Sequence, residues 1–547
     1  MPVITVSIAE LSELSGVSVD LLLESLPELA VEVDKVEKDE LTLEVNPDRC
    51  DLLSVEGMAR ALRGFHGFET GMPHYDIIRS EVTTEVELSV QEVRPYIVTA
   101  VLEKVDMTDN FLKSLMNVQE KLHLTLGRGR EKVAIGVHDL SKVVPPFVYK
   151  GVNPATTSFV PLNRDRDMTM EDILSKHEKG KEYAHLLEGS DRYPLLLDSK
   201  GNVLSFPPVI NSRLTEVTQE STRLFIDVTG NDLKAIEQSL NILCSIFHDR
   251  GAEIYSTKVV YGNKEHHYPD LSYKSMDLSI PEVRDMLGVP LDTKNIKEIL
   301  YRMGYEPGES DGDNLKVEYP AYRHDIIHPW DILEDIAIGY GYHRFHGDLP
   351  RSFTVGRTLR SKKIENTVTE LMIGYGFNEV MNFTLSSFDR EFTQMELPPH
   401  DEYVEIQNPV SEDSSCLRVW ILPSLLTNLR NNRKNPLPQR IFEVGDVLEG
   451  YHQMTHVGGV ILDSESGFSM MKSLMDGLVR SLGIDFITEK RNHPSFIDGR
   501  CASLTKDGVE IGLFGEIHPK VLNNFRLEYP AVSFELDISK LYEPTGE

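Results

Sequence analysis

The sequence lacks the features that would indicate a secreted, membrane-bound or zinc-stapled protein. Only four cysteines occur among 547 residues (Cys50, Cys244, Cys416 and Cys501), and no two form a CxxC pair. This spacing argues against a zinc ribbon or a disulfide framework and fits a reducing cytosol. No stretch approaches the roughly 18 consecutive apolar residues of a membrane span. The first residues do not resemble a secretory leader either, so a cytoplasmic location is predicted.

Motifs for nucleotide binding and for zinc hydrolysis are also missing. The chain has no GxGxxG fingerprint, no GxxxxGK[ST] phosphate loop and no HExxH pair. Each of these motifs places backbone amides or metal ligands at a fixed spacing. The sequence therefore contains none of these motifs for nucleotide binding.

Positive charge is scarce overall. Lys and Arg number 56 against 87 Asp and Glu, which gives a net charge of −31. That balance opposes a surface coated for nucleic acid, although binding depends on local charge. Two basic clusters lie in the last third of the chain: Arg357, Arg360, Lys362 and Lys363, and then Arg430, Arg433, Lys434 and Arg440. Each is either an RNA contact or a solvated basic face.

The length predicts about three to five domains. Hydrophobic periodicity and turn residues divide the chain into an αβ unit at 1–70, a polar linker at 71–89, a mixed α/β domain at 90–268, a unit of short helices with one strand at 270–346, and an α/β domain with an apparently antiparallel sheet at 347–547. We therefore predict a multidomain α+β protein. The unit at 270–346 has a helix-turn-helix-like layout.

An acidic cluster follows Pro329, a residue that favours the first turn of a helix. Helical spacing puts Asp331, Glu334 and Asp335 on one face, with Asp325 just upstream. Three crowded carboxylates repel one another unless a cation lies between them, and oxygen ligands without His or Cys suggest Mg²⁺. The alternative is that acids in a first turn simply complement the helix dipole.

A second set of polar residues lies between Gln119 and Thr229, at the predicted ends of strands and helices. Polar side chains at strand ends often form ligand pockets in α/β domains. His138 and Asp139 are adjacent in sequence, so they suggest a base with its orienting carboxylate. The alternative is a structural histidine followed by a turn-forming aspartate.

Five stretches together resemble one family, the β subunits of phenylalanine–tRNA ligases in their short archaeal and eukaryotic form. They are Asn46-Pro47-Asp48-Arg49 through Gly57, Tyr322-Arg323-His324-Asp325 through Tyr342, Asn408-Pro409 through Arg418, Phe442-Glu443-Val444-Gly445-Asp446, and Phe514-Gly515-Glu516-Ile517-His518-Pro519. Single pieces are weak signals, but the ordered set spans the whole chain and is specific.

The resemblance implies an architecture for the predicted domains. Residues 1–70 would be the N-terminal domain, 90–268 a B3/B4-type tRNA-editing domain, 270–346 a B5 domain, and 347–547 a class II synthetase-like core. It also implies that the family's Mg²⁺ ligands fall on Asp325, Asp331, Glu334 and Asp335. With that support a metal site is favoured over a simple dipole effect, and a structural role is expected for the ion.

The core is expected to be catalytically silent. Active class II sites, by family resemblance, carry an Arg in an R-x-E strand motif and a second Arg in a Gly-rich element. Arg440 and Glu443 have the wrong spacing for the first, and the second is missing after Phe534, so the cationic clamps of adenylation are absent. The resemblance accordingly implies no aminoacylation residues in this chain, an α subunit that charges tRNA(Phe) with ATP, and an assembly of two α and two β chains.

The resemblance also implies an editing activity in which this chain hydrolyses tRNA mischarged with tyrosine. An apolar pocket rejects an added hydroxyl poorly, so a second site is needed to remove the error. The predicted pocket residues, by similarity to the archaeal pocket, are Gln119, Arg130, Ser205, Asn211, Asp227 and Thr229. Asp227 or Asn211 would read the phenol, Arg130 would meet the RNA end, and a positioned water would attack the ester.

Two alternative functions remain open. One is a stand-alone, metal-containing RNA-binding protein, and the other is a free-standing aminoacyl-ester hydrolase that uses only the middle domain. The silent class II-like core argues for the subunit, because such a domain is most useful as an assembly surface.

Overall fold

The computed structural model describes residues 1–349, 354–398 and 403–541 and divides into two units, Met1–Leu349 and Pro350–Glu547. The first unit opens with a three-stranded antiparallel sheet, in the order Val3–Ser7, Glu40–Glu44 and Glu32–Glu37. Its helices are Ile8–Ser15, Val19–Glu28 and Val55–Phe65. The Ser7 side chain accepts from the Glu10 amide and caps the first helix, which ends at Gly16 with φ 70°.

A ten-stranded sheet forms the centre of the first unit. Nine strands follow one another in the order Ile210–Asn211, Val203–Phe206, Tyr193–Leu197, Phe147–Val152, Ile77–Val86, Glu253–Tyr261, Tyr96–Glu103, Leu224–Gly230 and Val133–Asp139, and Lys264–Tyr268 pairs with Glu253–Tyr261. The helices of this region are Asp109–Leu124, Met170–Lys176, Glu178–Tyr183 and Leu233–Asp249. Ile236, Leu240, Leu243 and Phe247 of the last helix are fully buried. A two-stranded ladder joins Ser158–Phe159 to Met168–Thr169.

The structure differs from the sequence prediction at residues 71–89, the expected linker. Ile77–Val86 is a strand inside the large sheet, parallel to both Glu253–Tyr261 and Phe147–Val152. Most of its side chains remain exposed or half-buried, so the segment has the polar composition of a linker. β-Branched residues and pairing partners distant in sequence nevertheless make it a strand.

The remaining part of the first unit is a small sheet with three helices. Its strands follow the order Lys274–Ser279, Asn314–Tyr319 and Glu306–Asp311. Its helices are Ile280–Leu287, Thr293–Arg302 and Pro329–Tyr340. Leu300, Leu315, Ile332 and Ile336 form part of their shared core.

The second unit is built on a seven-stranded sheet. The strand order is Asn378–Glu379, Gln439–Glu449, His452–Leu462, Ala531–Asp537, Val509–Ile517, Phe496–Lys506 and Ile487–Lys490, and all pairs except the first are antiparallel. Leu385–Ser386 pairs with Cys416–Leu417. The helices are Arg360–Gly374, Leu422–Asn431, Phe468–Ser481 and Pro519–Asn524. The predicted mixed α+β, multidomain class is thus confirmed, together with an antiparallel sheet in this unit.

Within the described ranges, no helix is both long enough and apolar enough to cross a membrane.

Candidate functional sites

A buried histidine–aspartate pair of the large sheet joins two neighbouring strands. Val133–Asp139 and Leu224–Gly230 pair in an antiparallel register that sets His138 opposite Phe225 and Asp227 opposite Gly136. His138 Nε2 lies 2.6 Å from Asp227 Oδ1, and both side chains are almost fully buried. A buried carboxylate is costly unless it is hydrogen-bonded, so this contact holds Asp227 in place.

Gly136 provides the space for this pair. A Cβ at position 136 would overlap with Asp227 Oδ1 and would lie only 2.7 Å from His138 Nε2. The residue opposite Asp227 therefore has to be without a side chain. This glycine is a site residue that sequence reasoning missed, because a lone glycine in a strand has many explanations.

Two of the predicted pocket residues, Ser205 and Asn211, lie beside this pair. Ser205 Oγ is 3.5 Å from Asp227 Oδ1, and Ser205 stands opposite Asn211 in the ladder. Asn211 donates weakly to the Val137 carbonyl at 3.4 Å. It remains half-buried, whereas Ser205 and Asp227 are buried. Thr215 completes the cluster, with Oγ1 2.8 Å from His138 Nδ1. Asn211 is thus the member that retains access to solvent.

Arg130 is held by internal contacts. Its guanidinium donates to the carbonyls of Pro208 and Val209 at 3.2 and 3.1 Å, and to the Glu120 carboxylate at 2.7 Å. It also lies 4.3 Å from the centroid of the Tyr183 ring. Gln119 precedes Glu120 on the helix Asp109–Leu124 and is half-buried. A contact between Arg130 and RNA stays a prediction, and it would have to compete with these bonds.

Thr229 faces a buried arginine that sequence reasoning also missed. Arg94 donates to Thr229 Oγ1 at 3.0 Å, to the Thr229 carbonyl at 2.7 Å and to the Glu131 carbonyl at 3.2 Å. Burial lowers the pKa of Arg94 to about 10. All three acceptors are neutral, so the guanidinium adds positive charge to the same sheet that buries Asp227. Nothing in the sequence around Arg94 indicates this role.

The pairing of His138 with Asp139 is wrong. The Asp139 carboxylate accepts from the amide and hydroxyl of Ser141 and from the Ser221 hydroxyl at 2.8 Å. Successive residues of a strand point to opposite faces, so sequence neighbours cannot share one side of the sheet. Asp139 is a turn-forming residue, and the carboxylate that meets His138 comes from another strand.

The four predicted metal ligands line one cavity of about 260 Å³ in the first unit. Arg49 and Asp48 line the same cavity, next to Arg323. Arg323 donates to Asp325 and to Asp335 Oδ2, each at 2.6 Å. Tyr305 also hydrogen-bonds Asp335. Arg49 in turn pairs with Asp51 at 2.9 Å. The acids thus belong to a mixed network that joins the Asn-Pro-Asp-Arg segment to the helix Pro329–Tyr340.

The acidic residues that line this cavity are of the type that binds a hard cation, but their side chains are not arranged as a set of metal ligands. All donors are carboxylate oxygens, the ligands that Mg²⁺ prefers. In the described part of the chain, however, no three His, Cys, Asp or Glu side chains converge as a metal-binding group. Arg323 holds Asp325 and Asp335, while Asp331 accepts the amides of Ile327 and His328 as a helix cap. The donor set therefore fits the ion, with Arg323 as its competitor.

Glu334 carries the charge that this network does not neutralise. Partial burial raises its pKa, and the nearby carboxylates of Asp335, Asp48, Asp331 and Asp325 raise it further. A carboxylate whose surroundings are mostly negative favours a proton or a cation. A divalent ion in this cavity would therefore neutralise the charge of the Glu334 carboxylate in particular.

Two arginines of the second unit, Arg418 and Arg440, make structural contacts. Arg418 donates to Glu443 at 2.7 Å, and both side chains are buried. Arg440 donates to the Tyr375 carbonyl at 3.4 Å. The Glu443 carboxylate also accepts from the Asn382 amide at 2.6 Å.

Comparisons with known proteins agree across the chain. The family model described as "Phenylalanyl tRNA synthetase beta chain CLM domain" matches residues 347–538, and "tRNA synthetase B5 domain" matches residues 276–342. The chain is 44% identical to the "Phenylalanine--tRNA ligase beta subunit" of Archaeoglobus fulgidus, with 100% of both chains covered. It is 42% identical to the protein of that name from Methanocaldococcus jannaschii, covering 98% of this chain and 100% of the relative.

A solved structure matches the first part of the chain. It is an N-terminal fragment of the phenylalanyl-tRNA synthetase β subunit from Pyrococcus horikoshii, 39% identical with a TM-score of 0.60. The match covers 62% of this chain and 99% of the fragment.

Proposed function

Because the chain belongs to the phenylalanine–tRNA ligase β-subunit family, we propose that it assembles with an α subunit, as two α and two β chains, to charge tRNA(Phe) with phenylalanine using ATP. The aminoacylation site would lie in the α subunit, and the complex would work in the cytoplasm. The buried pairing of Arg418 with Glu443 supports this division, because that guanidinium is already neutralised. The exposed Arg433 and Lys434 are candidates for tRNA contacts.

We further propose that the large sheet of the first unit hydrolyses tyrosine misattached to tRNA(Phe). The observation that carries this proposal is the His138–Asp227 contact, with Ser205 and Asn211 beside it. A phenol hydroxyl distinguishes tyrosine from phenylalanine, and a site that hydrogen-bonds it discriminates far better than an apolar pocket does. Asn211 is half-buried and would read that hydroxyl, while Asp227, oriented by His138, would lie behind it.

The hydrolytic step needs a water positioned near the ester carbonyl. The chain contributes orientation and acceptors to this step, since His138 holds Asp227 and Ser205 lies within 3.5 Å of the same oxygen. Gln119, Arg130 and Thr229 are proposed as the wall of the pocket. Arg94, which donates only to neutral acceptors, would supply positive charge near the pocket, and an RNA end carries negative charge.

The test compares two activities of the purified α–β complex. Asn211→Ala and Asp227→Ala should slow deacylation of Tyr-tRNA(Phe) by about tenfold or more, the loss of one or more hydrogen bonds, while phenylalanine charging continues. Asn231→Ala is a matched control, because Asn231 is an exposed asparagine in the turn that follows the strand of Asp227. Unchanged deacylation in both variants would remove the editing assignment from this site.

We also propose that the acidic cavity binds Mg²⁺ in a structural role. Asp325, Asp331, Glu334 and Asp335 would hold the ion. Its positive charge would give the Glu334 carboxylate the cationic partner that it lacks. Four carboxylates leave little room for a substrate, which favours stabilisation over chemistry. The oxygen-only donor set supports the proposal.

The alternative functions make a different prediction about assembly. A free-standing ester hydrolase or RNA-binding protein would elute alone when the tagged chain is isolated from its native lysate. The subunit function requires a second synthetase chain at equal stoichiometry, and phenylalanine charging only by the pair.

A further inference from the structure

A cavity of about 500 Å³ opens in the second unit, and the sites described above do not use it. Its apolar wall includes Phe392, Leu397, Val419 and Met454. Cavities of this volume with mostly apolar walls and a few polar groups are typical of small-molecule sites. The polar groups therefore decide what the cavity accepts.

Two buried nitrogen atoms of residues that line this cavity have no hydrogen-bond partner within the described ranges. They are Nε1 of Trp420 and Nε2 of His456. Trp420 is 9% exposed, and its indole N–H can only donate. His456 Nδ1 lies 2.8 Å from Glu535 Oε1, so with the proton on Nδ1 its Nε2 is an acceptor. Burial of unpaired polar atoms is unfavourable, and a ligand that offers both an acceptor and a donor would satisfy them.

The position of Trp420 is fixed from both sides by buried carboxylates. Glu391 accepts from the Val419 amide at 3.1 Å. Glu535 accepts from the amides of Ile421 and Leu422 at 2.8 to 3.0 Å. Because the backbone on each side of Trp420 is held, the indole is preorganised, and preorganisation lowers the entropic cost of binding.

The charge of the lining restricts the ligand further. Glu449, Glu510, Glu535 and Asp537 line the cavity with Lys540. Asp537 Oδ2 is 3.1 Å from Lys540 Nζ, but it is among the buried atoms without an aligned hydrogen bond. A negative excess attracts an ammonium group and repels a carboxylate. The acceptor for the indole should therefore be an uncharged carbonyl.

From this geometry we propose that the cavity binds a small α-ammonium carbonyl compound with an apolar side chain, such as an amino acid amide or ester. The ammonium would lie toward Asp537 and Glu510, the carbonyl would accept from Trp420, and the side chain would contact the apolar wall. No bond is made or broken at this site. Its lining residues belong to the second unit, whereas the proposed editing residues belong to the first.

The chain contains two tryptophans, which gives the experiment an internal control. Trp330 is 50% exposed and lies in the helix Pro329–Tyr340 of the first unit, while Trp420 lines the cavity. The full-length chain is labelled with 5-fluorotryptophan, and its ¹⁹F resonances are assigned with Trp330→Phe. L-leucinamide is then titrated, with L-leucine and 4-methylpentanamide as probes that carry a carboxylate or lack the ammonium.

We expect L-leucinamide to shift the Trp420 resonance saturably and to leave the Trp330 resonance in place. L-leucine and 4-methylpentanamide should bind at least about tenfold more weakly, the loss of one charge-assisted interaction. Equal binding of all three probes, equal shifts at both tryptophans, or no shift at millimolar leucinamide would each overturn the proposal.

Two variants test the charge. Asp537→Asn should weaken leucinamide binding by about tenfold and Glu510→Gln by about threefold, with little effect on 4-methylpentanamide. Glu528→Gln is the matched control, since Glu528 is exposed and is not among the cavity-lining residues. If Asp537→Asn does not fold, Glu510→Gln decides, and unchanged leucinamide affinity in that exposed variant would count against the ammonium subsite.

Discussion

His138 Nε2 lies 2.6 Å from Asp227 Oδ1, although 89 residues separate them in the chain. The register between their strands sets Gly136 opposite Asp227, and this leaves room for the imidazole on the same face. The contact therefore depends on three positions, of which two carry the polar side chains and one must remain without a side chain. This relationship underlies the first prediction.

Gly136→Ala should disturb the proposed editing site without removing any polar group. The added Cβ would overlap with Asp227 Oδ1 and crowd His138, and overpacking of this kind costs about 1 to 3 kcal/mol. We expect loss of Tyr-tRNA(Phe) deacylation together with a lower free energy of unfolding in urea. Gly374→Ala is the control, because nothing lies within 4 Å of a Cβ there. Normal deacylation by Gly136→Ala would contradict the geometry.

Arg323→Met should destabilise the first unit strongly. The substitution would leave Asp325 and Asp335 as buried carboxylates without their guanidinium partner, which costs about 3 to 5 kcal/mol when one member of a buried pair is removed. Urea denaturation of the full chain measures the loss. Arg344→Met, at an exposed arginine, should change stability by less than about 1 kcal/mol. Similar losses in both variants would show that the network adds little.

Mg²⁺ should raise the thermal midpoint of the wild-type chain. At a hundredfold excess over its dissociation constant, a ligand that binds only the folded state adds about 3 kcal/mol. Glu334→Gln should remove most of this effect, because Glu334 carries the charge left uncompensated by Arg323. Glu298→Gln, at an exposed position, serves as the control. An equal response to Mg²⁺ in Glu334→Gln would exclude this residue as a ligand.

The second unit should lose stability as the pH rises toward neutrality. Burial raises the pKa of Glu391 to about 7 from an ordinary value of 4.5. A carboxyl with a raised pKa in the folded state contributes its stability below the unfolded pKa and loses it as the pH rises through the folded pKa. The contribution amounts to about 3 kcal/mol. Urea denaturation of the Trp330→Phe variant, in which Trp420 is the one remaining tryptophan, should therefore show a decline in stability between pH 4.5 and about 7 when followed by fluorescence.

Glu391→Gln is the variant that isolates this effect. Glutamine does not titrate, and its one carbonyl oxygen can still accept from the Val419 amide while its NH2 group donates to the Ser386 hydroxyl. The difference in unfolding free energy between wild type and variant should thus change with pH in the stated window and level off above it. A pH-independent difference would show that Glu391 does not lose its proton there.

Local features of the fold could be predicted because their causes are local. The turn chemistry at Ser199-Lys200-Gly201-Asn202 predicts the hairpin that joins Tyr193–Leu197 to Val203–Phe206. The apolar spacing of Ile236, Leu240, Leu243 and Phe247 predicts a buried helix, and Leu233–Asp249 is that helix. The strand Ile77–Val86 could not be predicted from residues 71–89, because its pairing partners are far away in sequence.

The candidate sites divide in the same way. Ser205, Asn211 and Asp227 were predicted through the family resemblance, and the structure brings them together around His138. The roles of Gly136 and Arg94 had no sequence signal, because a glycine in a strand or an arginine before one is common. Arg323 belongs to the motif that begins Tyr322-Arg323-His324-Asp325, but only the tertiary structure shows that it lies between Asp325 and Asp335.

By itself the sequence determined the mixed α+β class, several helix ends and turns, and the resemblance to one family, because periodicity, capping residues and ordered motifs are local properties of the chain. The tertiary structure alone decided which charges meet. The partner of His138 is Asp227 and not its neighbour Asp139, since adjacent strand residues face opposite sides. Strand register and burial set those distances, and neither is a property of a short stretch of sequence.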